Sequence, residues 1–270
     1  MNPDSQSPTS TPHQPSPAPP PSHGMLALNS VRAESTVAGR LLRPIPALLI
    51  VAAIWGLFLF VLHPWLMNWG ATPEERAMAL PGDTKPPSAY FTRAITIDAP
   101  ASTVWPWLLA IGQDRGGFLS YDWLENLTGA DIHNAETLRP EWRQRAVGDT
   151  VPMASPALQH QLGDGTLLTV RILEPERVLA DVPGRFVLVP IGDQHTRLLL
   201  REDLSIAERS GVMWLIWDPM HFVMEQRMLR GVKERAEGQP LVPPALQSAA
   251  QLGWLLAGVG LLVAFLWHRT

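Results

Sequence analysis

Apolar and polar positions divide this chain into unlike stretches. Pro44 to Leu66 (PIPALLIVAAIWGLFLFVLHPWL) and Leu241 to Trp267 (LVPPALQSAAQLGWLLAGVGLLVAFLW) contain no Asp, Glu, Lys or Arg. Each reaches the roughly 20 apolar residues a helix needs to cross the hydrocarbon core of a bilayer. The pattern predicts transmembrane helices over 44–66 and 241–267. A buried core helix normally shows a polar face, and Ala47 to Leu62 shows none. Arg40 and Arg43 before the first stretch, and Trp65 and Trp69 at and after its end, suit a membrane boundary. Pro243, Pro244, Gln247, Ser248 and Gln251 dilute the entrance of the second, which is apolar from Leu252 to a polar stop at His268 and Arg269. A cleaved signal peptide fits the first stretch poorly: it starts deep in the chain, is long, and lacks a clear small-residue cleavage site after it.

Between the spans, mixed-polarity sequence over 71–238 predicts a folded domain. Tyr90 to Asp98 alternates and is rich in β-formers, predicting a strand. Ala99 to Ser102 breaks it, and Thr103 to Ile111 (TVWPWLLAI) predicts a helix ending at Gly112, with Pro106 tolerated near its start. Tyr121 to Leu127 predicts a second short helix closed by Gly129, and Asp131 to Val147 an irregular polar loop. Short β-like runs follow at Thr150–Met153, Leu167–Leu173, Arg177–Asp181, Arg185–Val189 and Thr196–Glu202. Gly-Asp, Asp-Gly and Pro-Gly pairs separate them, as in an antiparallel meander. Pro219 to Glu237 predicts a long helix, with Phe222, Met224, Met228, Leu229 and Val232 on its apolar side. The Pro- and Ser-rich residues 1–40 hold too few large apolar side chains to offset the cost of ordering, which predicts a disordered tail.

A net charge of −4 and the lack of a basic, aromatic-interleaved strip argue against nucleic-acid binding. Cysteine is absent, which excludes disulfides, thiolate metal sites and cysteine nucleophiles together. Eleven tryptophans stand against two tyrosines. Those in the domain, among them Trp105, Trp107, Trp123, Trp142, Trp214 and Trp217, suit either a thick core or an apolar pocket.

The segments TRAITIDAPASTVWPWLLAIG, RGGFLSYDWLEN, DIHNAETLRPEW, VGDTV and FVMEQRMLRGVKERAE, spread from Tyr90 to Glu237, carry a resemblance. Together they look like the START-like or polyketide-cyclase superfamily (SRPBCC), and the RGGFLSYDWLEN…DIH…PEW stretch like a bacterial branch of it. The resemblance implies an α+β helix-grip fold, a curved antiparallel sheet around a long C-terminal helix, here flanked by two transmembrane helices. It also implies a cavity between sheet and helix for an apolar or amphipathic small molecule. The chain departs from the usual pattern in placing a membrane span before the domain.

Candidate ligand-binding residues are Arg115, Tyr121, Asp122, Trp123, Glu125, His133, Trp142, His221 and Met224. Asp122 and Glu125 are three apart on a short helix and can share a face. With Asp131 and His133 they could do acid–base chemistry if burial raised one pKa, or, neutralised by Arg115, simply fasten a loop. Asp131 and His133 offer two metal ligands at most, so no metal is expected there, and no cofactor is expected. Ser120 and Ser155 lie in no nucleophile motif, and no phosphate loop follows a strand, so no catalytic residue is assigned.

The reading is a multi-pass protein of the bacterial plasma membrane that binds a hydrophobic small molecule or lipid beside the bilayer. The alternatives are a cyclase- or dehydratase-type enzyme on a hydrophobic substrate and a scaffold working through its tail. Arg32, Arg40 and Arg43 favour an inside N-terminus and an extracytoplasmic domain; Arg227, Arg230, Lys233 and Arg235 before the second span pull the other way.

Overall fold

The computed structural model describes residues 45–163, 166–181, 184–203 and 214–241. The tail over 1–40 and, apart from Leu241, the second span expected over 241–267 lie outside the described residues. The chain divides into two units, residues 1–57 and 58–270.

In the first unit, helix α1 (Ile45–Leu57) is apolar on every side, with Leu48, Leu49, Val51, Ile54 and Leu57 exposed. The second unit begins with a π-helical turn, Phe58–Leu62, that runs into α2 (His63–Met67). From Leu48 to Met67 the helix has 20 residues, enough at 1.5 Å per residue to cross a membrane. Among the described residues it is the one helix of that length and character.

Within the second unit, α2 ends where Leu66 and Met67 become buried. The next residues lie along strand β1 (Tyr90–Ile97): the Ala94 amide donates to the Trp69 carbonyl at 3.0 Å. Gly70 permits this approach, because its φ is +74° and a Cβ there would stand 2.1 Å from the Ala94 carbonyl oxygen. A capped turn of helix, α3 (Pro73–Ala77), follows; Thr72 and Glu75 close its capping box.

The main sheet has five antiparallel strands in the order β1-β7-β6-β5-β4. The later four form the expected meander: β4 (Ile172–Glu174), β5 (Val178–Ala180), β6 (Gly184–Ile191) and β7 (His195–Asp203). β1 then pairs with β7 along its whole length, Tyr90 opposite Asp203 and Ile97 opposite Thr196. The run expected over Leu167–Leu173 is two strands, not one. β3 (Leu167–Thr169) pairs with β2 (Thr150–Pro152) in a separate small sheet, and β4 begins again at Ile172 in the main one. Helices α4 (Ala101–Leu109), α5 (Asp122–Asn126) and α6 (Pro156–Leu162) sit in the connections. Neither α3 nor α6 was expected; both are short and start with Pro at N1, behind Thr72 and Ser155 caps.

The long helix α7 spans Trp214–Ala236, starting five residues before the expected Pro219. Pro219 is therefore its sixth residue, not its first, and Pro106 is likewise the sixth residue of α4. Each deletes one intrahelical hydrogen bond, a loss the surrounding packing has to offset. The inner sheet face presents Ile97, Leu179, Phe186, Leu188, Leu198 and Leu200 to Val104 and Leu108 of α4 and to Met228, Leu229 and Val232 of α7. This is one continuous core. Gly231 brings α7 backbone-close to the loop before α5: a Cβ there would lie 2.1 Å from the Leu119 carbonyl oxygen. The α+β arrangement, an antiparallel sheet against a long C-terminal helix, fits a helix grip.

The outer face is stapled by arginines. Fully buried Arg201 donates to the carbonyls of Glu75 and Met78 and pairs with Asp83 at 2.7 Å. Arg185 pairs with the same Asp83, and Arg197 forks onto Glu75 at 2.7 and 2.8 Å. The segment from Gly70 to Asp83 is thereby fastened to β6 and β7.

Candidate functional site

The nine candidate residues fall in three places. Arg115, His133 and Trp142 line an open groove of about 300 Å³ with Asp114, Asn134, Glu136 and Arg139. In it, Arg115 does not neutralise the α5 carboxylates. Its Nη1 donates to the carbonyls of Leu109, Trp142 and Gln144, the last at 2.8 Å. Arg145 reinforces it, donating to Leu109 and Ile111 at 3.1 and 2.7 Å. Cations at a helix C-terminus satisfy its last carbonyls and its dipole, and both arginines do this for α4. His133 pairs with Asp131 at 3.0 Å, and both side chains are mostly in solvent.

Just before α5, Tyr121 is buried; on the helix, Trp123 is exposed and Asp122 accepts from the Trp123 amide at 2.8 Å. Glu125 turns inward, and burial, then the charge of Asp122, pushes its carboxyl up to about 7. The loop after α5 is fastened by other residues: Asn126 exchanges two hydrogen bonds with the Ile132 backbone, and Asn134 donates to the Ser120 carbonyl.

The last two candidates, His221 and Met224, lie on α7. Met224 accepts from the Ser120 hydroxyl through its carbonyl at 2.9 Å. His221 belongs to a cluster that sequence reasoning largely missed. β1 and β7 are in register with Arg93 opposite Leu200 and Phe91 opposite Glu202. Residues two apart share a face, so Arg93 and Glu202 lie on the same inner face as Ile97, Leu198 and Leu200, at its far end. The C-terminal half of α7 covers the apolar part of that face, and the N-terminal half brings His221 and Glu225 to the ionisable part. Arg93 is fully buried and Glu225 nearly so, and the two form an ion pair. Nδ1 of His221 stands 3.3 Å from Glu225 Oε1 and 3.8 Å from Glu202 Oε2. Trp217 stacks on the imidazole with ring centroids 5.4 Å apart. Gly184, in register with Glu202, leaves the carboxylate room: a Cβ there would stand 3.2 Å from Glu202 Cγ.

Burial governs the charges here. It pushes the Glu202 carboxyl up to about 7, against the pull of Arg93 and Arg185. It likewise pushes nearby Asp181 up to about 7, with Glu202 adding to the effect. Burial, then Arg93, brings His221 down to about 4, so its imidazole is neutral at pH 7. Arg93 itself falls only to about 10 and stays a cation. A neutral imidazole, a fixed cation and carboxyls poised near neutrality can exchange protons or bind a polar group.

The cluster adjoins α2 and the residues just after it. Arg93 Nε donates to the Leu66 carbonyl at 3.0 Å, and the Arg93 guanidinium lies over Phe91 and Phe222. Trp65 and Trp69 pack on Phe222, and His63 pairs with Asp218 at 2.8 Å. Two cues were readable in sequence: the four-residue spacing of His221 and Glu225, and charges at inner-face positions of two apolar strands.

No known family profile matches the chain, and no curated protein matches it. Among solved structures it is similar to a protein encoded by gene BPP1335 of Bordetella parapertussis, at 17% identity and a TM-score of 0.31 over 65% of this chain and 86% of that one. It is also similar to the Polyketide_cyc-like protein Cgl2372 of Corynebacterium glutamicum, at 14% identity and a TM-score of 0.30 over 54% of this chain and 89% of that one.

Proposed function

We propose that this chain is a membrane-tethered binding module of START-like type, which holds a hydrophobic or amphipathic small molecule or lipid between its sheet and its long helix. The observation that carries the reading is the asymmetry of the inner sheet face. It is aliphatic from Ile97 and Leu198 to Leu200 and turns ionisable at one end, where Arg93, Glu202, His221 and Glu225 meet. A ligand with an apolar body and a polar head matches such a gradient, because a few placed polar groups orient what an apolar lining holds. The 20-residue apolar helix supports tethering. On α7, Trp217, Met220 and Val223 are exposed, an apolar stripe suited to a bilayer surface or an entering lipid. Arg115, Tyr121, Asp122, Trp123, Glu125, His133 and Trp142 stay as proposed accessory contacts around the groove and α5, with His221 and Met224 nearest the sheet.

Native mass spectrometry of the detergent-purified full chain tests the reading. A co-purifying hydrophobic molecule is expected, with less of it on Leu200→Trp, which adds bulk to the inner face. A wild-type chain that carries nothing, and takes up nothing from mixed-lipid vesicles, would refute it. A second reading, a cyclase- or dehydratase-type enzyme on a hydrophobic substrate, is favoured by the neutral histidine beside raised carboxyls. It predicts that His221→Gln still captures the molecule but leaves it unconverted.

A further inference from the structure

We infer that Glu202, His221 and Glu225 form a binding site for one divalent first-row transition ion, Zn²⁺ foremost, with Arg93 as its outer-sphere partner. Their three nearest ligand atoms all lie within 4.8 Å of one another. Ligands about 2.1 Å from a tetrahedral ion stand about 3.4 Å apart, and the two separations from His221 Nδ1 are 3.3 and 3.8 Å. Imidazole and carboxylate together suit Zn²⁺, and three protein ligands leave a fourth position open.

The second observation is a shortage of donors. Glu225 Oε2 meets Arg93 Nη1, but Glu225 Oε1 is buried without a hydrogen-bond partner among the described residues. The His221 ring could offer Nδ1–H to one carboxylate, never to both. Arg93 is paired with Glu225, Arg185 is paired with Asp83, and Asp218 is occupied by His63, so Glu202 and Glu225 share a shortage of positive charge. Buried carboxylates left in that state are costly. A divalent ion at Glu225 Oε1 answers both deficits, with Oε2 kept on Arg93, the way outer-sphere groups orient a ligating carboxylate. Trp217, stacked on His221, holds the ring plane, and Gly184 leaves the room that Glu202 needs. The site does not depend on the ligand proposed above, since its members come from β1, β7 and α7 with or without such a ligand.

The test uses the full chain in detergent, stripped with a chelator and then titrated with Zn²⁺ and, separately, Mn²⁺ against a competing chelating dye. Bound metal is counted by mass spectrometry. One Zn²⁺ per chain is expected. His221→Gln and Glu225→Gln should each weaken it by more than the roughly 10–100-fold that losing an outer-sphere partner costs. His160→Gln, on the exposed side of α6, should change nothing. Should Glu225→Gln fail to fold, His221→Gln decides the matter alone, because that ring is partly exposed and its loss leaves the Arg93–Glu225 pair intact. Wild-type protein that retains no ion after dialysis, or a His221→Gln chain that binds Zn²⁺ as tightly as wild type, would overturn the inference.

Discussion

Replacing Arg93 with methionine probes the electrostatics of the buried end directly. Arg93 is fully buried, its Nε donates to the Leu66 carbonyl, and its Nη1 lies against Glu225, which is 5% exposed. Methionine fills most of the volume and keeps the packing against Phe91 and Phe222, so the change is mainly one of charge. Breaking a buried pair by removing one partner costs about 3–5 kcal/mol, because the other charge is left uncompensated. The lost bond to Leu66 adds to that, as bonds from charged donors contribute about 1.5–3 kcal/mol. Glu202, already pushed up to about 7 by burial, loses one of the two cations holding it down and should rise further. Arg93→Met should therefore destabilise by at least about 3 kcal/mol at pH 8 and by less at pH 5, where the carboxyls accept protons. Adding Glu225→Gln removes the orphaned charge, so the double variant should recover part of the loss, with a coupling of about 1–3 kcal/mol. Denaturant unfolding of the full chain in detergent with a chelator present, followed by tryptophan emission, measures all four corners of the cycle. A single-variant cost below about 1 kcal/mol, or strict additivity, would refute this account of the cluster.

Three further outcomes follow from other parts of the molecule. Gly231→Ala places a Cβ 2.1 Å from the Leu119 carbonyl oxygen, and the resulting shift of α7 should cost about 1–3 kcal/mol; a neutral change in the melting temperature would contradict that contact. Glu125 has a folded pKa raised from 4.5 to about 7, so its contribution to stability is fully present below about 4.5 and is lost as pH rises through 7. Glu125→Gln should match wild type near pH 4 and exceed it at pH 8, by up to about 3 kcal/mol, and an equal difference at both pH values would argue against burial as the cause. Two spans return a chain to its starting side, so cysteines placed at Ser7 and Thr270 of this cysteine-free protein should react together with an impermeant reagent, whereas opposite accessibility would exclude a second crossing.

The elements that were legible in sequence are those whose pattern is local. β1, α4, α5 and the meander from β4 to β7 follow from alternation, helical periodicity and turn pairs, and they stand within a few residues of their expected bounds. The misreadings have local causes too. Arg171 lies between Leu167 and Leu173 and marks where the chain leaves one sheet for another; as a β-compatible residue it gave no break signal. Proline at 219 imitates a helix start because its fixed φ suits N1, but the same φ suits any helical position if packing compensates for the missing bond. What holds residues 70–83 was invisible for another reason: Arg185, Arg197 and Arg201 occupy outer-face positions, where charge normally means solvent.

The ionisable end of the sheet was hidden by distance, not by composition. Arg93, Glu202 and His221 come from three elements spread over more than a hundred residues, and only the pairing of β1 with β7 puts the first two side by side. Strand parity nonetheless carried a signal. In YFTRAITI, Phe91, Ile95 and Ile97 face inward, and Arg93 falls among them; in HTRLLLRED, Leu198 and Leu200 face inward, and Glu202 continues their row. A charge at a core parity position costs several kcal/mol unless it meets an opposite charge there. Two adjacent strands that each carry one, of opposite sign, point to a buried polar site before any helix is placed over them. The spacing of His221 and Glu225 then says which turn of the long helix covers it. The polar end of the sheet is thus where the sequence departs from its own hydrophobic pattern, and that departure was the better guide than the charges of the loops around α5, where Arg115 and Arg145 cap a helix and Asp131 and His133 face water.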